Sequence, residues 1–440
     1  MTKDQTDWLK HKDLEYKDGV LHFGEQSTKK LAEKYGTPLY VINEVLIRSR
    51  YKNLKKLLLK RYENTRIHYA VKANTNIAVL RVLQQEGAYA DCVSSGEVEI
   101  ALKAGFQPDH ILQTSNNWTD DELKFALDKN IMINLDAISH IKRLAKICEE
   151  RDQQLPLLSF RINPTFGAGH SSHTITAGPD IKFGIFEKQV LEAYQIALDH
   201  GFTRFGAHMH IGSGVLEIEP WQKAINKYFE IVEKVVKEKG IKFEFLDFGG
   251  GIGIPYKTDQ KPLDLEGYAD LLTDTFKKKC EELDLGSPIF AIEPGRYLSA
   301  EASIILTQVN TYKDTGFKIF IGVDTGFNTL TRPAFYGSYH EIIPVTRHEE
   351  RDEIVCDIVG QLCESGDVLG KMRTIPKVEE KEYLAVLDAG AYGFSMASTY
   401  NSRPRPAEVM IKKEKEPAIV RERETIEDLL RGQKVPNWLE

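Results

Sequence analysis

The stretch YFEIVEKVVKEKGIKFEFLDF, residues 228–248, contains the pattern that decides the fold. Its first part has apolar residues spaced three and four apart and ends at Gly240, which is typical of an amphipathic helix. Its second part, FEFLDF (243–248), is a short apolar run of the kind that forms a buried strand. The stretch therefore reads as one helix–strand unit of an α/β fold.

The same alternation extends outward in both directions, from about residue 66 to 295. Eight strand–helix units in roughly 230 residues predict a (β/α)8 barrel. An open, doubly wound sheet is the alternative, because counting strands does not show closure. Closure is favoured because the chemically interesting residues cluster just after strand ends. The predicted strands are RIHYAV (66–71), YADCVS (89–94), HILQT (110–114), IMINL (131–135), LLSFRI (157–162), FGAHMHI (205–211), FEFLDF (243–248) and PIFAIE (288–293), and the predicted helices include DDELKFALDK (120–129), SHIKRLAKICEER (139–151), FEKQVLEAYQIALDHG (186–201) and YFEIVEKVVKEKG (228–240).

The chain changes character after residue 297, where strand-like runs follow one another with little helix between them. This succession of strand-like runs predicts a C-terminal antiparallel β domain. The segment STKKLAEKYGTPLYVIN (27–43) predicts a capped helix and a strand ahead of the barrel. We therefore predict an N-terminal segment (1–42) that packs with the β domain, a barrel (43–298), and a β domain (299–440) that completes the active site.

Composition excludes several classes of protein. The 440 residues carry 58 Lys+Arg against 65 Asp+Glu, a net charge of 58 − 65 = −7, so no basic excess points to nucleic acid. The charged N-terminus does not resemble a signal peptide, and no apolar run is long enough for a membrane span. The five cysteines are scattered and never in CxxC spacing, which is typical of a reducing compartment. We predict a cytoplasmic enzyme.

Lys72 directly follows the first predicted barrel strand, in HYAVKANTN. Barrel chemistry sits at the carboxyl ends of the strands, and a desolvated lysine is a nucleophile for Schiff-base formation. The alternative is an ordinary surface lysine at a strand end.

The sixth strand ends in HMHIGSG (208–214). His208 and His210 form an HxH pair of the kind found in metallohydrolase barrels, so a metal site is one interpretation. Two satisfied polar residues near a strand end are another. The small residues that follow, Ser213 among them, suit the binding of a phosphate group.

The last two strands end in LDFGGGIGIPY (246–256) and AIEPGRY (291–297). The glycines lack the GxGxxG spacing of a dinucleotide site, but a glycine cluster after strand seven fits the phosphate site of many barrels. A tight turn is the alternative, although four glycines exceed what one turn requires. Glu293 and Gly295 complete the barrel mouth. A lysine, a ring-stacking histidine, a phosphate cradle and a carboxylate together indicate a pyridoxal phosphate site, with Glu293 on the pyridinium nitrogen.

The β domain contains three further motifs, RPAFYGSYH (332–340), GQLCESGD (360–367) and DAGAYGFSMASTYNSRPRP (388–406). Arg332 beside Tyr336 suits a substrate carboxylate, because guanidinium groups bind carboxylates bidentately. Cys363, flanked by Glu364 and Asp367, is a candidate proton donor. An inert thiol in the core is the alternative for Cys363.

These motifs resemble those of the diaminopimelate decarboxylase family, whose members have the alanine-racemase-like (fold-type III) pyridoxal phosphate fold. The resemblance rests on YAVKAN, HIGS, DFGGGIGIPY, EPGR, RPAFYGSYHEI, CESGD and NSRPRPAEV, in the family's order, and runs from about residue 37 to 412. GFNTLTRP, EPGRYL and the loop GAGHSSHTITAGPDIKFG (167–184) differ from the wording of commoner members.

The resemblance implies a role for each site residue. Lys72 would hold pyridoxal 5'-phosphate as a Schiff base, and Cys363 would protonate the product from the partner subunit of a homodimer with shared sites. The implied cofactor-binding residues are Lys72, His210, Ser213, Gly250, Gly251, Glu293, Gly295, Arg296 and Tyr392. The implied substrate-binding residues are Arg296, Arg332, Tyr336, Glu364 and Tyr392, and no metal is implied.

The resemblance also implies the reaction, which is decarboxylation of meso-2,6-diaminopimelate to L-lysine and CO2 at the last step of lysine biosynthesis. Alternatives are a related ornithine-, lysine- or arginine-type decarboxylase, a racemase of the same fold, a metal-dependent hydrolase built on His208 and His210, and a non-catalytic homologue. Racemases of this class place arginine, not glutamate, at the pyridine nitrogen. A non-catalytic homologue should have lost Lys72 or Cys363, and both are present.

Overall fold

The computed structural model describes residues 3–169, 176–348 and 350–439. Ahead of the barrel lie a short helix, a small antiparallel sheet, a second helix and a strand. The second helix begins where the sequence predicts it, because the Ser27 side chain accepts a hydrogen bond from Lys30 N and caps the first turn. These elements are α1 (Lys3–His11), β1 (Leu14–Lys17), β2 (Val20–Phe23), β3 (Gln26–Ser27), α2 (Thr28–Tyr35) and β4 (Leu39–Asn43).

Eight parallel strands close into a barrel, so the predicted barrel is confirmed and the open sheet is wrong. The eight strands of the ring are β5 (Thr65–Ala70), β6 (Tyr89–Cys92), β7 (Ile111–Gln113), β8 (Met132–Leu135), β9 (Leu158–Asn163), β11 (Phe205–Met209), β12 (Phe243–Asp247) and β13 (Ile289–Ile292), and a ninth short strand is β10 (Ile185–Phe186). Closure comes from the pairing of β13 with β5 and of β8 with β9, and the short β10 pairs with β9 outside the ring. The parallel ladder aligns the carboxyl ends of β5, β6, β11, β12 and β13 at one rim.

The helices follow the predicted pattern with one difference. They are α3 (Glu44–Leu59), α4 (Ile77–Gln85), α5 (Ser95–Ala104), α6 (Asp120–Lys129), α7 (Ile138–Glu150), α8 (Glu187–Asp199), α9 (Glu219–Lys239), α10 (Leu265–Glu282) and α11 (Arg296–Ser299). Helix α9 begins well before the predicted residue 228. Pro220 lies in its first turn, where its missing N–H costs nothing, and the buried Trp221 and Ile225 extend its apolar face.

The C-terminal part is a mostly antiparallel sheet, as predicted. Its elements are β14 (Ser303–Asp314), β15 (Ile319–Val323), α12 (Arg332–Tyr336), β16 (Ile342–Pro344), β17 (Glu353–Val359), β18 (Val368–Pro376), β19 (Tyr383–Val386), β20 (Ala407–Ile411), β21 (Ala418–Arg421) and α13 (Ile426–Leu430). The main sheet order is β18-β17-β15-β14-β4-β20-β21, and β19 joins β14 to β16. Two pairs, β15–β17 and β4–β20, are parallel, which the sequence pattern did not indicate.

The chain forms two compact units. The barrel unit comprises Ile47–Pro255 and Gln260–Ser299. The β unit comprises the chain up to Leu46, the short segment Tyr256–Asp259, and the chain from Ala300 onward. None of the helices in the described part of the chain combines the length and apolarity that crossing a bilayer requires.

Candidate active site

Lys72 lies in a 3₁₀ turn, Val71–Ala73, immediately after β5. Its Nζ donates a hydrogen bond to Oδ2 of Asp91 at 2.7 Å, and the Asp91 side chain is fully buried. Burial and the nearby charge of Glu293 raise the pKa of Asp91, while the Lys72 ammonium acts in the opposite direction. Lys72 is therefore not an ordinary surface lysine.

Sequence reasoning missed Asp91, although a signal was available. It is the one charged residue in the otherwise apolar run YADCVS, and it lies opposite Ala70 in the β5–β6 ladder. Sequence reasoning also missed Glu97 in the first turn of α5, whose Oε2 accepts a hydrogen bond from Val93 N at 2.9 Å. Burial raises the pKa of Glu97 to about 7. Both carboxyl groups act electrostatically on the same lysine.

His208 and Glu293 form a buried pair beneath the barrel mouth. His208 Nε2 lies 3.0 Å from Glu293 Oε2, and both side chains are almost completely buried. Burial alone would raise the pKa of Glu293, but the charges of His208 and Lys72 outweigh it and the pKa is lowered. The second carboxylate oxygen, Oε1, has no hydrogen-bond partner among the described residues. Glu293 is thus a buried anion with one free acceptor.

The nearby Asp247 completes a group that could hold a metal ion. One ligand atom from each of His208, Asp247 and Glu293 lies within 4.8 Å of the others. Burial and the charge of Glu293 raise the pKa of Asp247 well above its usual range, which favours its neutral form. His210 does not belong to this group among the described residues, so the alternative interpretation, in which His208 and His210 bind one metal ion together, is not supported there.

His210 is tied to the glycine loop after β12. Its Nδ1 accepts a hydrogen bond from Gly250 N at 3.0 Å, which fixes the ring against that loop. Burial, followed by the positive charges of Arg161 and Lys72, lowers the pKa of His210 well below its ordinary value. The imidazole is therefore neutral at physiological pH.

The glycine loop passes too close to its neighbours for any side chain. A Cβ on Gly249 would lie 2.3 Å from Met209 O, and one on Gly250 would lie 2.2 Å from Glu293 O. Gly249 also has a φ of +67°. The close approach explains why one turn contains so many glycines, and it keeps backbone N–H groups at the barrel rim.

Ser213, Gly295 and Arg296 lie beside this loop in the barrel unit. Arg296 is buried, and its Nη2 and Nε donate to Ser213 Oγ at 3.0 and 3.3 Å. A Cβ on Gly295 would lie 3.0 Å from the Ala73 side chain, so Gly295 allows the chain after β13 to pack against the Lys72 turn. The predicted cofactor residues of the barrel thus come from the ends of β5, β11, β12 and β13.

These residues fit pyridoxal phosphate. The glycine loop after β12, where an added Cβ would collide with neighbouring atoms, offers N–H groups to a phosphate. Glu293 Oε1 offers a buried acceptor to a protonated ring nitrogen. The neutral His210 suits contact with a cationic pyridine ring because it brings no opposing positive charge.

The β unit holds the remaining predicted residues. Arg332 is 1% exposed, and its guanidinium donates to Tyr256 Oη at 2.8 Å and to Ser338 Oγ at 3.2 Å. No carboxylate of the described residues pairs with it. Its charge acts against the raised pKa of the buried Asp388, and a buried guanidinium without an ion pair is suited to an anionic ligand group. Tyr256 was not predicted, and Tyr336 packs edge-on against Phe335 at 4.7 Å.

Cys363 is exposed, so its interpretation as an inert core thiol is wrong. Asn401 holds it from two sides: Cys363 N donates to Asn401 Oδ1 at 3.0 Å, and Asn401 Nδ2 donates to Cys363 Sγ at 3.1 Å. Glu364 is also exposed and accepts a hydrogen bond from Tyr400 Oη. Asp367 instead shapes the loop, because its buried carboxylate binds Leu362 N and Phe327 N at 2.8 and 2.7 Å.

Tyr392 is half-buried and has a φ of +57°, which is uncommon for a tyrosine. Backbone strain of this kind concentrates at functional positions. The loop 167–184 is described only in part, since residues 170–175 lie outside the described residues.

Known proteins match the chain along nearly its whole length. The profile of the pyridoxal-dependent decarboxylase family, pyridoxal binding domain, matches residues 45–300. The diaminopimelate decarboxylase of Methanothermobacter thermautotrophicus is 48% identical over 96% of this chain and 98% of its own length. The chain belongs to the diaminopimelate decarboxylase family.

Solved structures of the diaminopimelate decarboxylase family have the same fold. The Methanocaldococcus jannaschii enzyme superimposes with a TM-score of 0.90 at 35% identity, covering 97% of this chain and 99% of that one. The Helicobacter pylori enzyme, complexed with L-lysine, gives a TM-score of 0.84 at 34% identity, covering 92% of this chain and 98% of that one. The family, the fold and the class of enzyme predicted from the sequence, a decarboxylase of the lyase class, are confirmed.

Proposed function

We propose that this chain converts meso-2,6-diaminopimelate to L-lysine and CO2, with pyridoxal 5'-phosphate as cofactor. The observation that carries the proposal is Lys72 at the end of β5, with its ammonium on a buried carboxylate. The substrate is inferred from the relatives, which are named diaminopimelate decarboxylases and include a structure with bound L-lysine. Lysine is the product that the proposed reaction requires.

The barrel residues are proposed to bind and tune the cofactor. Lys72 would hold it covalently, with Asp91 stabilising the charged amine whenever that lysine is released. The loop at Gly250 and Gly251, together with Ser213 and Gly295, would hold the phosphate. Arg296, which donates twice to Ser213 Oγ, would keep this hydroxyl in position. Once bound, the cofactor withdraws the electron pair left by the departing carboxylate.

Glu293 would keep that electron withdrawal strong. Its lowered pKa keeps it anionic at neutral pH, and a buried anion with a free oxygen stabilises a proton on a neighbouring ring nitrogen. His208 holds the other oxygen and so orients the carboxylate. The neutral ring of His210 would lie against the cofactor.

Substrate recognition is proposed to come mainly from the β domain, with Arg296 contributed by the barrel. Arg332 and Tyr336, with Arg296 and Tyr392, would bind the carboxylate at the non-reacting end, and Glu364 would bind the distal ammonium. The lack of a carboxylate partner for Arg332 among the described residues supports this role. An ornithine-like substrate has no second carboxylate to pair with it, which would exclude such amines.

Cys363 is proposed to give a proton to the carbon that loses the carboxylate, acting in the site of a partner subunit. Its exposure on the single chain, together with that of Glu364 and Tyr400, supports a homodimer with shared sites. Asn401 would orient the thiol, because it donates to Sγ. We also propose the predicted domain organisation, in which residues 43–298 form the cofactor-binding barrel, residues 299–440 form the β domain that completes the active site, and residues 1–42 pack with that β domain. The cytoplasmic location stays a prediction.

The test is to load the purified protein with pyridoxal phosphate, add meso-diaminopimelate and measure CO2 and L-lysine. We expect both products, together with a visible absorption band of the bound cofactor that disappears in Lys72→Ala and persists in Lys60→Ala. L-Ornithine, L-arginine and L-lysine serve as comparison substrates. Faster turnover of any of these would favour the related basic amino-acid decarboxylase. A colourless protein containing bound metal would instead favour a hydrolase on His208, Asp247 and Glu293.

A further inference from the structure

A cavity of about 760 Å³ lies within the β unit and contains none of the predicted cofactor or substrate residues. Its walls come from α1, from β16 and the segment after it, and from β18, with Thr258 at one side. Sites for small organic molecules have volumes of about 300–1,000 Å³, so the space is large enough for a metabolite.

Three basic side chains line this cavity, Arg347, Lys371 and Arg373, of which Lys371 helps to lower the pKa of Asp357. Within the described ranges, no carboxylate forms an ion pair with any of them. The carboxylates on the lining are Glu341 and Glu353, and the former already accepts hydrogen bonds from Tyr339 Oη at 2.7 Å and from Ile342 N at 3.1 Å. Unpaired positive charge therefore exceeds negative charge on the walls.

The other basic groups on the walls have partners. Arg351 pairs with Glu382 at 2.7 Å and with Glu379 at 3.6 Å, and His348 lies 3.3 Å from Glu382. Arg351 and His348 are thus paired, whereas the other three basic side chains of the walls form no ion pair within the described ranges. A small anion inside the cavity would supply the missing partners.

Two of the unpaired cations are held in place by aromatic rings. The guanidinium of Arg373 lies 3.8 Å from the ring centre of Tyr339, and its Nη2 donates to His340 O at 2.8 Å. The guanidinium of Arg347 lies 4.3 Å from the ring centre of Tyr16. Stacked guanidinium groups lose little freedom on binding, which favours recognition of planar or tetrahedral anions.

Apolar side chains complete the lining, including Trp8, Leu9, Pro344 and Ile375. We propose that this cavity binds a small organic anion that carries at least two carboxylate or phosphate groups on a short carbon frame. Three cations can pair with more than one anionic group of the ligand, and the apolar side chains of the wall can contact its carbon frame. The site is separate from the proposed catalytic residues.

Trp8 offers a direct readout. Its indole is part of the cavity wall, and its ring centre lies 4.4 Å from Lys12 Nζ. Lys12 in turn pairs with Asp388, four residues before Tyr392. Because the indole lines the cavity, an anion that binds beside Trp8 should change the surroundings of the ring and hence its fluorescence.

The experiment uses the full-length protein loaded with pyridoxal phosphate, so that the phosphate cradle is already filled. Citrate and fructose 1,6-bisphosphate are the probes, acetate and glucose are the comparison ligands, and binding is followed by calorimetry and by tryptophan fluorescence. We expect saturable binding of citrate, of the bisphosphate, or of both, and no saturable binding of acetate or glucose. The two probes distinguish a carboxylate ligand from a phosphate ligand.

The variants locate the probe. Lys371→Gln and Arg373→Gln should each weaken its binding at least tenfold, and Trp8→Phe should abolish the fluorescence change. The exposed Lys371 keeps the test valid if Arg373→Gln fails to fold. Arg431→Gln, at an exposed arginine that directly follows α13, is the matched control and should bind like the unchanged protein. Failure of both probes, equal weakening in Arg431→Gln, or loss of binding only in Arg332→Gln would overturn the proposal.

Discussion

Lys72 Nζ donates a hydrogen bond to Asp91 Oδ2 at 2.7 Å, so the lysine at the barrel mouth forms an ion pair with a buried carboxylate. The geometry gives a charged amine a partner next to the proposed cofactor position. We expect Asp91→Asn to retain the cofactor band, because Lys72 is intact, and to lower kcat/KM roughly tenfold or more, equivalent to about 1.4 kcal/mol of lost stabilisation. Steady-state kinetics across pH provides the measurement. Asp109→Asn, at an exposed carboxylate, is the control, and an unchanged rate and pH profile in Asp91→Asn would contradict the role.

Glu97 should make stability depend on pH. Its pKa is about 7 in the folded protein, against about 4.3 in an unfolded chain, so the carboxylate binds a proton more tightly in the folded protein. The stability from this group is fully present below about pH 4 and is lost as the pH rises through about 7. Glu97→Gln should therefore gain stability relative to the unchanged protein as the pH rises, by about 1–3 kcal/mol at pH 7.5.

Thermal unfolding at about pH 5 and pH 7.5 measures this difference for Glu97→Gln. The exposed Glu99, on the same helix, supplies the control Glu99→Gln, which should show no such trend. The opposite sign for Glu97→Gln would mean that its carboxylate is stabilised, not penalised, by the fold.

Gly249 and Gly286 form a matched pair for testing the glycine loop. Both have a positive φ, +67° and +71°, but only a Cβ on Gly249 would collide with backbone, at 2.3 Å from Met209 O. Gly249→Ala should therefore cost about 1–3 kcal/mol more than Gly286→Ala and weaken cofactor retention. Melting temperature and cofactor content after dialysis are the measurements. Equal losses in the two variants would show that backbone conformation alone accounts for the glycine.

Cys363 is the exposed thiol among the five cysteines, and Asn401 Nδ2 lies 3.1 Å from its Sγ. We expect Cys363→Ala to lower kcat about 10²- to 10⁴-fold with little change in KM or in the cofactor band, because proton delivery is lost while binding remains. Cys148→Ala, at a buried cysteine, should keep its kcat. Full activity in Cys363→Ala would remove this residue from proton transfer.

Lys12 joins the N-terminal segment to the C-terminal sheet through a buried charge cluster. Its Nζ lies 2.9 Å from Glu301 Oε1 and 2.8 Å from Asp388 Oδ1, and burial raises the pKa of Asp388 to about 6 although Lys12 acts against the rise. Lys12→Met should lower stability by about 3–5 kcal/mol, because it leaves two buried carboxyl groups without their cation.

Thermal melts compare Lys12→Met with Lys10→Met, at an exposed lysine of the same segment. The double variant Lys12→Met/Asp388→Asn should recover part of the loss, since it removes one of the two orphaned charges. A loss no larger than that of Lys10→Met would show that the cluster contributes little.

The strands were predictable because each is a short apolar run between turn residues, and their observed ends agree with the predicted ones to within about two residues. The start of α9 could not be predicted from the sequence. Glu219 and Pro220 carry no apolar signal, and only the packing of Trp221 shows that the helix has begun. The parallel pair β15–β17 also lay beyond the sequence, because strand direction depends on pairing between distant segments.

By itself the sequence determined the alternation of strands and helices, the β-rich second domain and the identity of the residues at the strand ends, because these follow from local periodicity and from where reactive side chains fall in it. Only the tertiary structure decided which partners those residues have. The pairing of Lys72 with Asp91, of His208 with Glu293 and of Arg332 with Tyr256 joins side chains far apart in the chain. Burial then fixes their charge states, since the free energy of an ion depends on the groups that surround it in the folded protein.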